Sequence, residues 1–144
     1  MRIVLDTNVV ISALLWRGTP YQLLDAVRRS NAQLYSSTSL LEELADVLTR
    51  STTTKRLVLI GKSAAEVLAD YVEAVELAEP TAVPRVILND PDDDQVIAAV
   101  LAAKADLIVS GDRKHLLSLG SHAGIAIVDA AQALQLVKEL STDA

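Results

Sequence analysis

The chain has 144 residues, the size of one domain, and 51% of them are apolar, enough for a full core and too many for a disordered chain. It contains no cysteine, which excludes disulfides, thiolate metal sites and cysteine nucleophiles together and fits a reducing compartment. The formal net charge of −6 argues against a surface that wraps nucleic acid by bulk electrostatics, unless many acids share one site with cations.

With no Phe, one Trp and three Tyr, a base-stacking platform is not expected, and Trp16 and Tyr21 read as packing residues. Met1 to Asp6 reaches an acid too soon for a secretory leader, and no apolar run approaches the length of a membrane span. The expected location is cytoplasmic. The basic groups Arg28-Arg29, Lys55-Arg56 and Arg113-Lys114-His115 read as solvated surface.

Arg2–Leu5 is short and β-branched and predicts a buried strand ending at Asp6. Residues 9–15 can start a helix, interrupted by Arg17-Gly18-Thr19-Pro20. Thr19-Pro20 opens a second helix, with Leu23, Leu24 and Val27 as its apolar stripe. Gln33–Ser36 reads as a second strand. Ser39 is expected to begin the next helix, with Glu42 completing a capping box and Leu40, Leu41, Leu44, Val47 and Leu48 on one face.

The Ser51-Thr52-Thr53-Thr54 run and Gly61 bound a loop or short helix, and Ser63 caps a helix expected to run to about Leu77. After Pro80 and Pro84, residues 86–88 predict a third strand, followed by the acidic segment 89–94. The remainder reads as an Ala-rich helix (95–104), a strand (107–110), Gly111-Asp112, a short helix (114–118), a strand at Ile125–Val128 and a last helix from Asp129. Strands and helices alternate without a composition break or repeat. One α/β domain over residues 1–144, with a mostly parallel sheet, is the expectation.

In such a sheet, ligands collect where the strands end. Asp6 lies directly after the first strand. A helix of about ten residues descends roughly 15 Å from that edge, and a strand of about five residues returns roughly 16 Å. Asp94, at the start of that helix, and Asp112, just past that strand, therefore reach the same level. Asp93 is the rival of Asp94, because one register slip exchanges them.

Glu43 lies one turn into the helix after the second strand. At about 100° per residue it falls at the border of the apolar stripe, whereas Glu42 points roughly 160° from the stripe's centre. Carboxylates crowded into one crevice raise each other's pKa unless a cation intervenes. A hard divalent ion, Mg²⁺ or Mn²⁺, suits an all-oxygen set. With no Cys and only two His, the sequence offers no competing nucleophile, and metal-activated water is the economical chemistry.

Several acids and histidines read more plainly. Asp90, Asp92 and Asp93 suit a turn and the first turn of a helix. The run is not a calcium loop: counted from Asp90, Gln95 stands where glycine is needed and Leu101 where the bidentate Glu is needed. Asp129 reads as an N-cap, and His115 and His122 as surface histidines without zinc-site spacing. Asp6 alone could be a turn or cap acid. The polar Thr7-Asn8 that follows it makes a functional cluster the better reading.

Four segments, in order, resemble the PIN-domain nucleases, particularly the VapC-like toxin component of type II toxin–antitoxin pairs. They are Ile3-Val4-Leu5-Asp6-Thr7-Asn8, Ser39-Leu40-Leu41-Glu42-Glu43-Leu44, Asp94-Gln95-Val96-Ile97-Ala98-Ala99 and Leu107-Ile108-Val109-Ser110-Gly111-Asp112. The resemblance implies a three-layer α/β/α sandwich and an Mg²⁺- or Mn²⁺-dependent endoribonuclease. It implies Asp6, Glu43, Asp94 and Asp112 as catalytic, metal-holding acids, with Asn8 and Ser110 in support. It also implies an RNA substrate, a cognate antitoxin protein and a homodimer.

Two alternatives stand beside it. A haloacid-dehalogenase-like phosphatase also places an Asp after its first strand, and Ser36 or Ser37 could serve after the second. Asn8 then stands where its second acid is needed, and no further acid follows Asp112 in Arg113-Lys114-His115-Leu116. The other alternative is a non-catalytic RNA- or partner-binding scaffold of the same fold, against which an idle acid cluster argues.

Overall fold

The computed structural model describes the backbone of residues 1–79, 91–111, 121–122 and 125–142, with side chains at all of these except 91–95, 121–122 and 141–142. In chain order the elements are β1 (Arg2–Leu5), α1 (Thr7–Leu15), α2 (Thr19–Arg28), β2 (Gln33–Ser36), α3 (Thr38–Leu48), α4 (Ser51–Ile60) and α5 (Ala64–Ala74). They continue with β3 (Val75–Leu77), α6 (Pro91–Ala103), β4 (Leu107–Val109), β5 (Ser121–His122), β6 (Ile125–Val128) and α7 (Ala130–Thr142). The expected strand at 86–88 and short helix at 114–118 lie outside the described residues, as does His115.

The strands form one sheet in the order β3-β2-β1-β4-β6-β5, parallel throughout except for the antiparallel β5–β6 pair. Strand alternation divides the core between its two faces. Ile3 and Leu5 of β1 and Leu107 and Val109 of β4 join a cluster with α1, α2 and α7. Val4 and Ile108 point the other way and meet Val96, Ile97 and Val100 of α6. Helices therefore cover both faces, which makes the expected three-layer α/β/α sandwich. Among the described residues no helix is long and apolar enough to cross a membrane.

Local chemistry explains most boundaries. Ser63 and Glu66 form a reciprocal capping box at α5, and Asp129 and Gln132 do the same at α7. The 51–61 segment is a full helix, α4. It ends at Gly61 with φ 69°, and Lys62 N–H donates to Leu57 O at 3.1 Å. A side chain at position 61 would be strained by that left-handed backbone.

Three expectations need correction. The cap of α3 is Ser37, whose hydroxyl accepts from Leu40 N–H, so the helix begins two residues before the pattern Ser39–Glu42 implies. Thr38 explains the shift: its backbone N–H and its hydroxyl donate to Glu79 at 2.8 and 2.6 Å, tying the helix start to the chain beyond β3. These bonds also hold the Glu79 carboxyl below its ordinary pKa, the Thr38 hydroxyl contributing most.

The second correction concerns α5, which stops at Ala74 instead of continuing to about Leu77. Val75–Leu77 instead add a parallel strand to β2, and Ala78 N–H extends the ladder to Ser36 O at 2.9 Å. An open strand edge outbids helix continuation for the β-branched Val75.

The third is Arg56, expected to be solvated. Its Nε donates to Leu15 O at 2.8 Å and its guanidinium lies 5.2 Å from the centre of the Trp16 ring, so it fastens α4 to the end of α1. Arg29 behaves as expected, in an exposed pair with Asp25 that adds little stability.

Candidate functional site

The registers of β1 and β4 pair Leu5 with Val109, which sets the next residues, Asp6 and Ser110, side by side at the strands' C-terminal edge. Asp6 N–H completes the ladder to Val109 O at 2.9 Å, and Ser110 N–H bonds Val128 O at 2.9 Å. Both side chains are buried: Ser110 is 0% exposed and Asp6 7%. A carboxylate so enclosed requires donors. Ser110 Oγ donates to Asp6 Oδ2 at 3.0 Å, and Thr7 N–H donates to Asp6 Oδ1 at 2.8 Å.

Asp6 is also the N-cap of α1, where the helix dipole favours negative charge. Thr7 is the first residue of that helix, and its hydroxyl donates to Glu43 Oε2 at 2.9 Å. Glu43 is half-buried, while Glu42 is exposed, as their positions relative to the stripe of α3 predict. Leu40, Leu44 and Leu48 form the buried line of that stripe.

Asp94 is the fourth residue of α6. The far end of this helix is anchored where β1 begins, since the Arg2 guanidinium donates to Ala103 O at 2.8 Å. Position 94 lies about 13 Å back along the helix from Ala103, and Asp6 about 13 Å along the strand from Arg2. The first turn of α6 thus comes level with Asp6. The side chains of Asp93 and Asp94 are not among the described ones, so their rivalry stands. Asp112 lies outside the described residues, two positions after Ser110 in the sequence.

Asn8 is exposed and opens onto a cleft of about 320 Å³ that reaches Ser110 and Gly111 on one side and Thr19 and Asp129 on another. Ser12, Val9, Pro20, Ala130 and Ala131 complete its walls, a mixture of hydroxyl, amide and small apolar groups. Ser36 and Ser37 are buried, and Ser37 is committed to capping α3. That commitment weakens the part the phosphatase alternative gives it.

Sequence reasoning passed over Thr7 as a site residue. The signal for it was the Asp-Thr-Asn cluster, but nothing in one sequence shows a hydroxyl crossing to another helix.

A model of the PIN domain matches residues 2–114. The chain belongs to the PIN-domain family. PIN domains are nucleases, which sets aside the phosphatase alternative. Among solved structures, the fold is similar to that of VapBC2 from Rickettsia felis bound to a DNA fragment from their promoter. That chain is 13% identical, with a TM-score of 0.62 over 88% of this chain and 97% of that one. At such identity the likeness concerns the fold. No curated protein matches the chain in sequence.

PIN nucleases generally use divalent metal ions. The described part of this PIN domain offers oxygen donors alone: the carboxylates of Asp6 and Glu43, with the hydroxyls of Ser110 and Thr7 beside them. This is the donor chemistry of Mg²⁺ and Mn²⁺, and the residues fit such an ion. Among the described residues no group of three acids or histidines able to hold a metal occurs.

Proposed function

We propose that this PIN domain, as a single unit over residues 1–144, is an Mg²⁺- or Mn²⁺-dependent endoribonuclease. We assign Asp6, Glu43, Asp94 and Asp112 as the acids that hold the ion, with Ser110 and Asn8 in support. One observation carries the proposal: a buried Asp6, hydrogen-bonded through both oxygens at the sheet's C-terminal edge, is linked through Thr7 to a second acid.

When bound, the ion lowers the pKa of a water and offsets negative charge on the phosphate under attack. The protein's own part is orientation. Ser110 and the Thr7 amide fix the plane of the Asp6 carboxylate, and Thr7 holds Glu43 toward it. The cleft between Asn8, Ser12, Thr19 and Asp129 leads from Ser110 and suits the sugar and base beside the scissile phosphate.

We assign the protein a cytoplasmic toxin role, paired with an antitoxin protein and acting as a homodimer. The fold likeness to VapBC2 supports the antitoxin pairing within that assignment. The test is cleavage of end-labelled RNA with Mn²⁺, with and without EDTA, beside Asp6→Asn. Cleavage by the wild type alone, abolished by EDTA, supports the proposal. Equal inertness of both proteins on several RNAs favours the non-catalytic scaffold.

A further inference from the structure

We propose that Thr7 is a positioning residue that couples the two acids, its amide fixing Asp6 and its hydroxyl aiming Glu43, so that both present oxygens to one divalent cation. The inference rests on the metal-dependent function proposed above, and goes beyond it to a residue outside the acid set.

The geometry separates Thr7 from an ordinary buried threonine. Thr7 opens α1, so the carbonyls three and four residues back belong to β1, and its hydroxyl has no carbonyl of its own helix to return to. Thr7, only 4% exposed, instead donates across to α3, to an acid 36 residues away in the chain. Its N–H is meanwhile given to Asp6 Oδ1. One residue therefore grips both carboxylates, on two different elements.

The chemistry of the donor matters as well. A lysine or arginine in this position would neutralise the acids and compete with a cation. A hydroxyl and an amide restrict the carboxylates without themselves cancelling their charge. For Glu43 the bond from Thr7 restricts a long side chain that has several rotamers. Residues that orient metal ligands in this way typically change metal affinity or activity by 10–100-fold when removed.

The test uses the whole protein with Thr7→Val, which keeps the shape and the amide but loses the hydroxyl, and Thr7→Ser, which keeps both donors. Mn²⁺ uptake is followed by the loss of the free-ion electron paramagnetic resonance signal, scaled to the folded fraction measured in EDTA. We expect Thr7→Val to weaken Mn²⁺ binding by about 10–100-fold and to lower kcat on RNA while leaving KM unchanged. Thr7→Ser should restore both. In a Glu43→Gln background, Thr7→Val should weaken Mn²⁺ binding no further, because Thr7 acts through Glu43.

If Thr7→Val does not fold, Thr7→Ala carries the same expectation. Wild-type affinity in folded Thr7→Val, or an equal loss in the Glu43→Gln background, overturns the inference alone. A wild-type protein that takes up no Mn²⁺ overturns the metal-dependent function and this inference together.

Discussion

The Ser110 hydroxyl reaches Asp6 Oδ2 at 3.0 Å, joining two residues 104 positions apart that neither share an element nor meet except at the edge of the sheet. Parallel pairing of β1 with β4 brings them there, and the hydroxyl then helps to satisfy a carboxylate that is 7% exposed.

That bond gives the first prediction. Ser110→Ala removes a donor to a buried charge, which costs about 1.5–3 kcal/mol. Urea unfolding in EDTA should show a loss of this size. Mn²⁺ affinity should fall about 10–100-fold, since Asp6 loses an orienting partner. Unchanged stability would mean that Asp6 rotates to another donor.

The second prediction separates two serines two positions apart. Ser37→Ala deletes the side-chain cap of α3 and should cost about 1 kcal/mol. Ser39 is exposed, and no hydrogen bond to its side chain is seen among the described residues, so Ser39→Ala should be close to neutral. Chemical denaturation of both variants decides the matter. The reverse ranking would restore the capping box that the sequence pattern suggests.

These serines also show which features one sequence can reveal. The Ser39-x-x-Glu42 pattern is a genuine local signal, but the Thr38–Glu79 bonds are tertiary, and they start the helix earlier. The strand at Val75–Leu77 was hidden for the same reason: an edge of β2 decides it, while the local sequence continues α5 smoothly. By contrast, Asp6 was legible because a β-branched run stops at it. Ser110 was singled out only through the family resemblance, since the local pattern runs the strand on to it (107–110) while the structure ends the strand at Val109. Glu43 was separable from Glu42 by helical angle alone. The hydroxyl of Thr7 was not, since its partner lies on another helix.

Tyr71 supplies the third prediction. Its ring is 2% exposed in the core beneath α5, and burial pushes its hydroxyl well above the ordinary tyrosine range. In the unfolded chain it ionises near pH 10. Below that pH both states keep the proton, and the contribution is fully present. Above it the unfolded chain loses a proton that the folded protein retains, so stability falls by about 1.4 kcal/mol per pH unit. Unfolding measured from pH 8 to 11 should therefore fall off less steeply in Tyr71→Phe. Identical alkaline limbs would place the source elsewhere.

The most direct measurement is a crystal soaked in Mn²⁺ and recorded at the manganese absorption edge. The account predicts one anomalous peak beside the carboxylates of Asp6 and Glu43, on the side toward Asp94 or Asp112, and its loss in Asp6→Asn. A peak elsewhere, with the space beside Asp6 empty at saturating Mn²⁺, would contradict it.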